Sequence, residues 1–226
     1  AANPLDEAAR QDQDSLWRGL FMTSWLVEDF LTVNDAFGAT QCLVTSASSK
    51  TSIALAHCLG QRGRLGRIGV TSAGNLAFCE SLGCYDQLVT YDQVGTLDPG
   101  QKAVLVDMAG NSGVISAIHN HYADNLVHSC RIGATHYEKM SPLGELPGAR
   151  PQFIFAPSHV KSRSEEMGGK QLMMQMGGAF AGFRLFCDHW LRIEQNRGPD
   201  AVSRVYQAVL SGKANPASGQ IISMCD

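Results

Sequence analysis

The stretch Gln41-Cys42-Leu43-Val44-Thr45-Ser46-Ala47-Ser48-Ser49-Lys50-Thr51-Ser52 decides how the chain is read. Its first five residues form a short apolar run of the kind buried on both faces of a parallel sheet. The small hydroxyl residues that follow open a helical pattern over 49–61, with Ile53, Leu55, Ala56 and Leu59 on its inner side. Strand, turn and helix thus succeed one another within about twenty residues, and the helix's free amides and positive dipole end face whatever lies over the turn. Four serines and Lys50 make that turn a candidate anion site, expected to take a phosphate group.

Working outward, the rhythm repeats. Strands are expected at 67–71, 86–91, 103–108, 125–132 and 152–156, with helices at 75–82 and near 113–122. Upstream, 16–34 carries apolar residues at helical spacing (Leu20, Trp25, Leu26, Phe30, Val33) and stops at Gly38. Strands alternating with helices imply an α/β fold, a doubly wound, mostly parallel six-stranded sheet with helices on both faces. Residues 141–151 form a Pro/Gly-rich loop, and 158–170 read as polar, charged and mobile. Helices are expected again at 171–193 and 200–210, then a final strand at 220–224. The expected division is a linker or tail at 1–15, a dinucleotide-binding domain at 16–196, and a C-terminal helix and return strand at 197–226.

Composition narrows the function classes. The 226 residues contain 18 Lys+Arg against 21 Asp+Glu, a formal charge of −3, which argues against a nucleic-acid surface or an anionic membrane as partner. No apolar run is long enough to span a bilayer. The seven cysteines are odd in number, irregularly spaced and mostly within apolar stretches, as in a reducing, cytoplasmic compartment. His119 and His121 are one residue apart, on different faces of a helix, so no metal site is expected from them.

The turn itself admits two phosphate readings. In a P-loop, Lys50-Thr51 would end the motif, but its glycines would fall at Val44 and Ser49, and the loop is too short to wrap a β-phosphate. In a dinucleotide turn, Ser46, Ser49 and Ser52 occupy the glycine positions. The tip of the second strand then decides between cofactors: an acid there would hold the ribose 2′-hydroxyl of NAD. The chain has Thr71-Ser72-Ala73-Gly74-Asn75 instead, a neutral tip that admits a 2′-phosphate and favours NADP. Arg64 and Arg67 lie at the other end of that strand. The lesser alternative is that Thr71 and Ser72 do no more than cap the next helix.

With these residues in view, 43–49 and 81–91 resemble the cofactor (Rossmann) domain of the medium-chain dehydrogenase/reductase superfamily, in its zinc-independent quinone oxidoreductase and enoyl reductase branch. Val106-Asp107-Met108-Ala109-Gly110 and Ile132-Gly133-Ala134-Thr135 are similar to that branch's fourth and fifth strand tips. The runs 46–51 and 80–86 resemble more closely a branch described only as a domain of unknown function. The resemblance covers about residues 16–226. It departs in its serine fingerprint, in Asn75 where NADP-dependent members often carry a lysine nearby, and in the family's N-terminal barrel-like substrate domain, which is expected not to be present here.

The resemblance implies phosphates over Ser46, Ser49, Lys50 and Thr51, and the adenine ribose near Thr71, Ser72 and Asn75. Tyr91 would flank the adenosine side. Ala109, Gly110, Gly133, Ala134 and Thr135 would lie along the nicotinamide half, with His136 and Tyr137 as candidate catalytic donors. It implies an NADP-binding oxidoreductase-like domain transferring hydride to a carbonyl or activated alkene of an unidentified small molecule. The alternative is a non-enzymatic nucleotide-binding module, a sensor or structural relative. A homodimer is expected through the last sheet strand, whose Phe153, Ile154 and Phe155 make a hazardous open edge.

Overall fold

In the computed structural model, which describes residues 10–132, 144–154 and 156–225, the run that opens the reading is the middle of a six-stranded sheet. The strands are β1 (Gln41–Thr45), β2 (Gly66–Thr71), β3 (Gln87–Thr90), β4 (Ala103–Asp107), β5 (Leu126–Arg131) and β6 (Pro151–Phe153). Their order is β3-β2-β1-β4-β5-β6, and all five pairings are parallel. The order reverses between β1 and β4, so the crevice beyond their carboxyl ends is where such a sheet takes a ligand. All five residues of β1 and of β4 are buried, because helices cover both faces.

One face packs Val44, Val104, Val106 and Cys130 against α1 (Gln11–Val33) and α2 (Lys50–Arg62). The other packs Leu43, Leu105 and Val70 against α4 (Ser112–Tyr122). The short α3 (Leu76–Leu82) ends at Gly83 in the left-handed conformation. A further layer forms where α6 (Gly169–Asp188) lies on α1 and α2 through Trp17, Phe21, Phe180 and Phe183. Trp17 and Phe183 meet edge to face at 4.8 Å between centroids.

Several elements differ from the sequence reading. Helix α1 begins at Gln11, within the stretch read as a tail. Its first turn holds Asp14, buried beside Arg184 at 3.2 Å, a polar contact that apolar periodicity cannot report. The stretch read as mobile at 158–170 contains instead α5 (Ala156–Met167). Charge docks it: Asp29 of α1, 2% exposed, accepts from His159 Nε2 at 2.9 Å and Arg163 Nε at 2.7 Å, while Val160 and Met167 join the apolar layer. The expected helix to 193 ends at Asp188, and β7 (Arg192–Arg197) follows. Beyond α7 (Pro199–Leu210), β8 (Ser218–Ser223) pairs with β7 in a separate two-stranded parallel sheet.

The link from α1 to β1 is unusual. Asp35, Ala36 and Phe37 have φ of 48°, 46° and 56°, and Gly38 follows at 74°. A left-handed turn of three side-chain-bearing residues is costly. It is held by Phe37 stacking on His128 at 3.9 Å between centroids.

Candidate functional site

At the switch point, a cleft of about 330 Å³ is lined by Thr45, Ser46, Ser72, Tyr91, Asp107, Ala109, Asn111 and Val114. It is built by the tips of β1, β2 and β4, the turn after β3 and the start of α4. That volume lies within the range of small-ligand sites, about 300–1,000 Å³.

Two networks shape it. The first joins β1 to β4: Thr45 Oγ1 donates to Asp107 Oδ1 at 2.7 Å and accepts from the Met108 amide at 3.1 Å. The Gly110 amide donates to Asp107 Oδ2 at 2.8 Å. Gly110 has φ +74°, a conformation glycine adopts without penalty, so the chain can turn back onto its own carboxylate. Asn111 then caps α4, its side-chain oxygen accepting from the amides of Gly113 and Val114.

The second network is the serine turn. Ser46 takes φ +50°, the conformation for which dinucleotide turns use glycine. The Ser52 amide donates to Ser49 Oγ at 3.2 Å, Ser49 Oγ to Ser52 Oγ at 2.8 Å, and Ser52 Oγ to the Thr45 carbonyl at 2.8 Å. The hydroxyls of Ser49 and Ser52 therefore close the turn on itself. What they leave to a ligand is the first-turn backbone of α2 at Lys50 and Thr51, where helices carry orphan amides. Tyr85 OH donates to the Ala47 carbonyl at 2.8 Å, and Asn75 Nδ2 to Ser48 Oγ at 2.9 Å. Burial pushes the Tyr85 phenol well above its ordinary range, so it remains a neutral donor.

The structure brings Ser46, Ser72, Tyr91 and Ala109 to one cleft. Ser46 Oγ and Tyr91 OH are 3.5 Å apart. Ala109, assigned by resemblance to the nicotinamide half, shares this cleft with Ser72 of the β2 tip. Thr71 is fully buried beneath it. The Thr51 carbonyl accepts from Ser24 Oγ at 2.8 Å. Lys50 is the main difference: its Nζ donates to the Pro216 carbonyl at 3.4 Å, and it does not line the cleft. Burial lowers its pKa, with the nearby Cys187 acting in the other direction. The catalytic candidates His136 and Tyr137, with Gly133, Ala134 and Thr135, lie outside the described residues.

Sequence reasoning missed Thr45, Asp107, Asn111 and Val114 as site residues. Asp107 carried a usable signal, a carboxylate ending the apolar run Ala103-Val104-Leu105-Val106 at a strand tip.

Comparison with solved structures places the fold. The chain is similar to the yhdH oxidoreductase from Salmonella enterica in complex with NADP, with a TM-score of 0.59 and 11% identity over 89% of this chain and 61% of that one. It is similar to CurA from Vibrio vulnificus in complex with NADPH (TM-score 0.56, 12% identity, 91% and 62% covered). A mutant form of enoyl thioester reductase from Candida tropicalis gives a TM-score of 0.56 at 11% identity, with 90% and 58% covered. The chain thus spans about three-fifths of the length of these structures. At such identities the likeness is one of fold, and the expected resemblance to the reductase cofactor domain holds at that level. No curated protein matches the sequence. Over residues 1–215 the sequence matches the family described as a protein of unknown function, DUF2855, and the chain belongs to that family.

Proposed function

We propose that this chain is the cofactor-binding domain of an NADP-dependent oxidoreductase that transfers hydride to a carbonyl or activated alkene. One observation carries the reading: the cleft lies at the β1/β4 switch point, and its β2 rim is the uncharged Ser72. A carboxylate there would repel a 2′-phosphate; a hydroxyl accepts one. The fold shared with reductases described as complexes with NADP or NADPH supports it.

The residues present fit such a cofactor. The α2 amides at Lys50 and Thr51 would receive the pyrophosphate, with Ser46 shaping the turn beneath it. Ser72 and Asn75 would meet the 2′-phosphate and Tyr91 the adenosine, while Ala109 and Gly110 would continue the cleft past the β4 tip. The bound nicotinamide supplies the hydride. The protein's own share is to orient the cofactor and offer a proton to the developing oxyanion, for which His136 and Tyr137 are the proposed donors. The protein is proposed to act as a homodimer paired through β6.

The serines that stand at the glycine positions of the dinucleotide turn favour a second reading, a nucleotide-binding module without turnover. Fluorescence titration with NADPH and NADH, followed by single-turnover assays with enones and ketones, separates the two. Preferential NADPH binding supports the cofactor assignment, and NADPH oxidation supports the enzyme. Tighter binding of NADH overturns the argument from Ser72.

A further inference from the structure

Away from the switch point, a second cavity of about 400 Å³ opens between three helices. It is lined by Trp25 of α1, His57 and Cys58 of α2, and Met174, Gly178 and Ala179 of α6. His57 lies about 10 Å along α2 from the serine turn, at roughly 1.5 Å per residue. The two cavities share no lining residue.

The His57 ring packs on Phe183 and Phe186, with centroids 5.3 and 4.9 Å apart, yet neither of its nitrogens has a hydrogen-bond partner among the described residues. Burial, aided by the charge of Arg67, holds its pKa down to about 4. At neutral pH the ring is therefore uncharged and offers one donor and one acceptor. Gly178 stands in the interior of α6, where glycine lowers helix stability relative to alanine. Packing does not require it: a β-carbon there would meet nothing within 4 Å. What its missing side chain leaves is open space in the cavity.

The lining sets the kind of molecule. Glu28 and Arg62 stand at one end but neutralise each other: Arg62 Nε is 3.1 Å from Glu28 Oε1, and Thr32 Oγ1 donates to the same oxygen at 2.6 Å. Every other lining side chain is uncharged, so no charge is left over for an ionic ligand. The Trp25 indole and the Met174 thioether both favour contact with an aromatic ring. The volume sits near the lower end of the small-ligand range, about 300–1,000 Å³, which suits a body of one or two fused rings. A hydroxyl both donates and accepts, so it can meet whichever His57 nitrogen faces the cavity.

We propose that this α1/α2/α6 cavity binds a small uncharged phenol, its hydroxyl bonded to the His57 ring and its aromatic body against Trp25 and Met174. The assignment does not rest on the oxidoreductase reading above.

The test uses 2-naphthol, with naphthalene lacking the hydroxyl and 2-naphthoate adding a charge, each measured by equilibrium dialysis against the whole chain at neutral pH. The parent should bind one 2-naphthol per chain, about fivefold more tightly than naphthalene, the worth of one hydrogen bond, and should bind 2-naphthoate more weakly than 2-naphthol. His57→Phe keeps a flat ring and should lose the preference for the hydroxyl while still binding naphthalene. Gly178→Leu fills the cavity and should cut the affinity for both by at least about tenfold. A parent with no saturable 2-naphthol binding overturns the proposal, as does 2-naphthoate binding as tightly as 2-naphthol. So does an unchanged preference in His57→Phe or an unchanged affinity in Gly178→Leu. Should Gly178→Leu fail to fold by circular dichroism, Met174→Gln takes its place: weaker binding of both molecules supports the site, and parent-like affinity overturns it.

Discussion

Thr45 and Asp107, sixty-two residues apart in sequence, are joined by a 2.7 Å hydrogen bond across the tips of two adjacent parallel strands. The bond is buried on both sides, and it sits where the sheet order reverses. Thr45→Val keeps the shape, but it removes the donor to Asp107 and the acceptor for the Met108 amide. We expect it to cost about 1–3 kcal/mol, the range for orphaning buried polar groups, and to weaken NADPH binding as the β4 turn relaxes. Urea unfolding followed by tryptophan fluorescence measures the first effect, and cofactor titration the second.

Ser46 has a backbone suited to glycine. Ser46→Gly relieves the left-handed strain of about 1–2 kcal/mol but restores roughly 0.5–1 kcal/mol of unfolded-state entropy, so it should leave stability unchanged or slightly raised. Ser46→Val, β-branched at the same φ, should destabilise clearly. A thermal melt in which valine and glycine behave alike would contradict the conformation described for this turn.

Ser72 sets the charge of the β2 rim. Ser72→Asp should lower NADPH affinity by an order of magnitude or more, about 1.4 kcal/mol per tenfold, and move the preference toward NADH. An unchanged preference would place the 2′-phosphate elsewhere.

Acid should destabilise the fold from near neutrality downward. Burial holds His57 down to about 4 from its ordinary 6.5, and burial also lowers His119 and His128. Unfolded imidazoles take up protons first, so this contribution is complete above pH 6.5 and falls as pH drops toward 4. His57→Phe should flatten the fall in urea midpoint between those limits. Asp29, whose pKa is lowered by its bonds to His159 and Arg163 against the opposing effect of burial, adds a second loss at lower pH, as it is protonated and releases α5.

β6 is the sheet edge, and its Phe153 is 68% exposed. Nothing among the described residues covers that ring; the apolar face of α6 is turned to α1 instead. The proposed dimer should scatter light as a pair of chains, and Phe153→Lys should return it to a monomer, whereas Ile154 packs against the core. A monomeric parent ends this proposal, and a dimer indifferent to Phe153→Lys puts the interface elsewhere.

The elements legible in the sequence are those whose burial is apolar. Cys42-Leu43-Val44 and Val104-Leu105-Val106 are uninterrupted because helices cover both faces, and the positions of Ser46, Ser72 and Tyr91 around the cleft follow from the strand order those runs imply. β7, Arg-Ile-Glu-Gln-Asn-Arg, is a strand by pairing alone; most of it faces water, so no alternation marks it. α5 was hidden for the complementary reason, since its anchor is the buried carboxylate of Asp29, over a hundred residues away. The direction of Lys50 was hidden as well. Its position in sequence puts it at a helix N-terminus, but the carbonyl that captures its ammonium belongs to Pro216, in a turn whose position only the tertiary fold determines.

The network that ties the hydroxyls of Ser49 and Ser52 to the Thr45 carbonyl has a calorimetric consequence. A glycine turn samples many shapes and loses that freedom when a ligand arrives; this turn loses it on folding, with the Ser49 hydroxyl held by that of Ser52 and the Ser52 hydroxyl by the Thr45 carbonyl. Association over α2 should therefore carry a smaller entropic penalty than a glycine-rich turn would impose. The same rigidity makes the turn selective: a ligand whose anionic group does not match the preset amides cannot induce the fit it lacks.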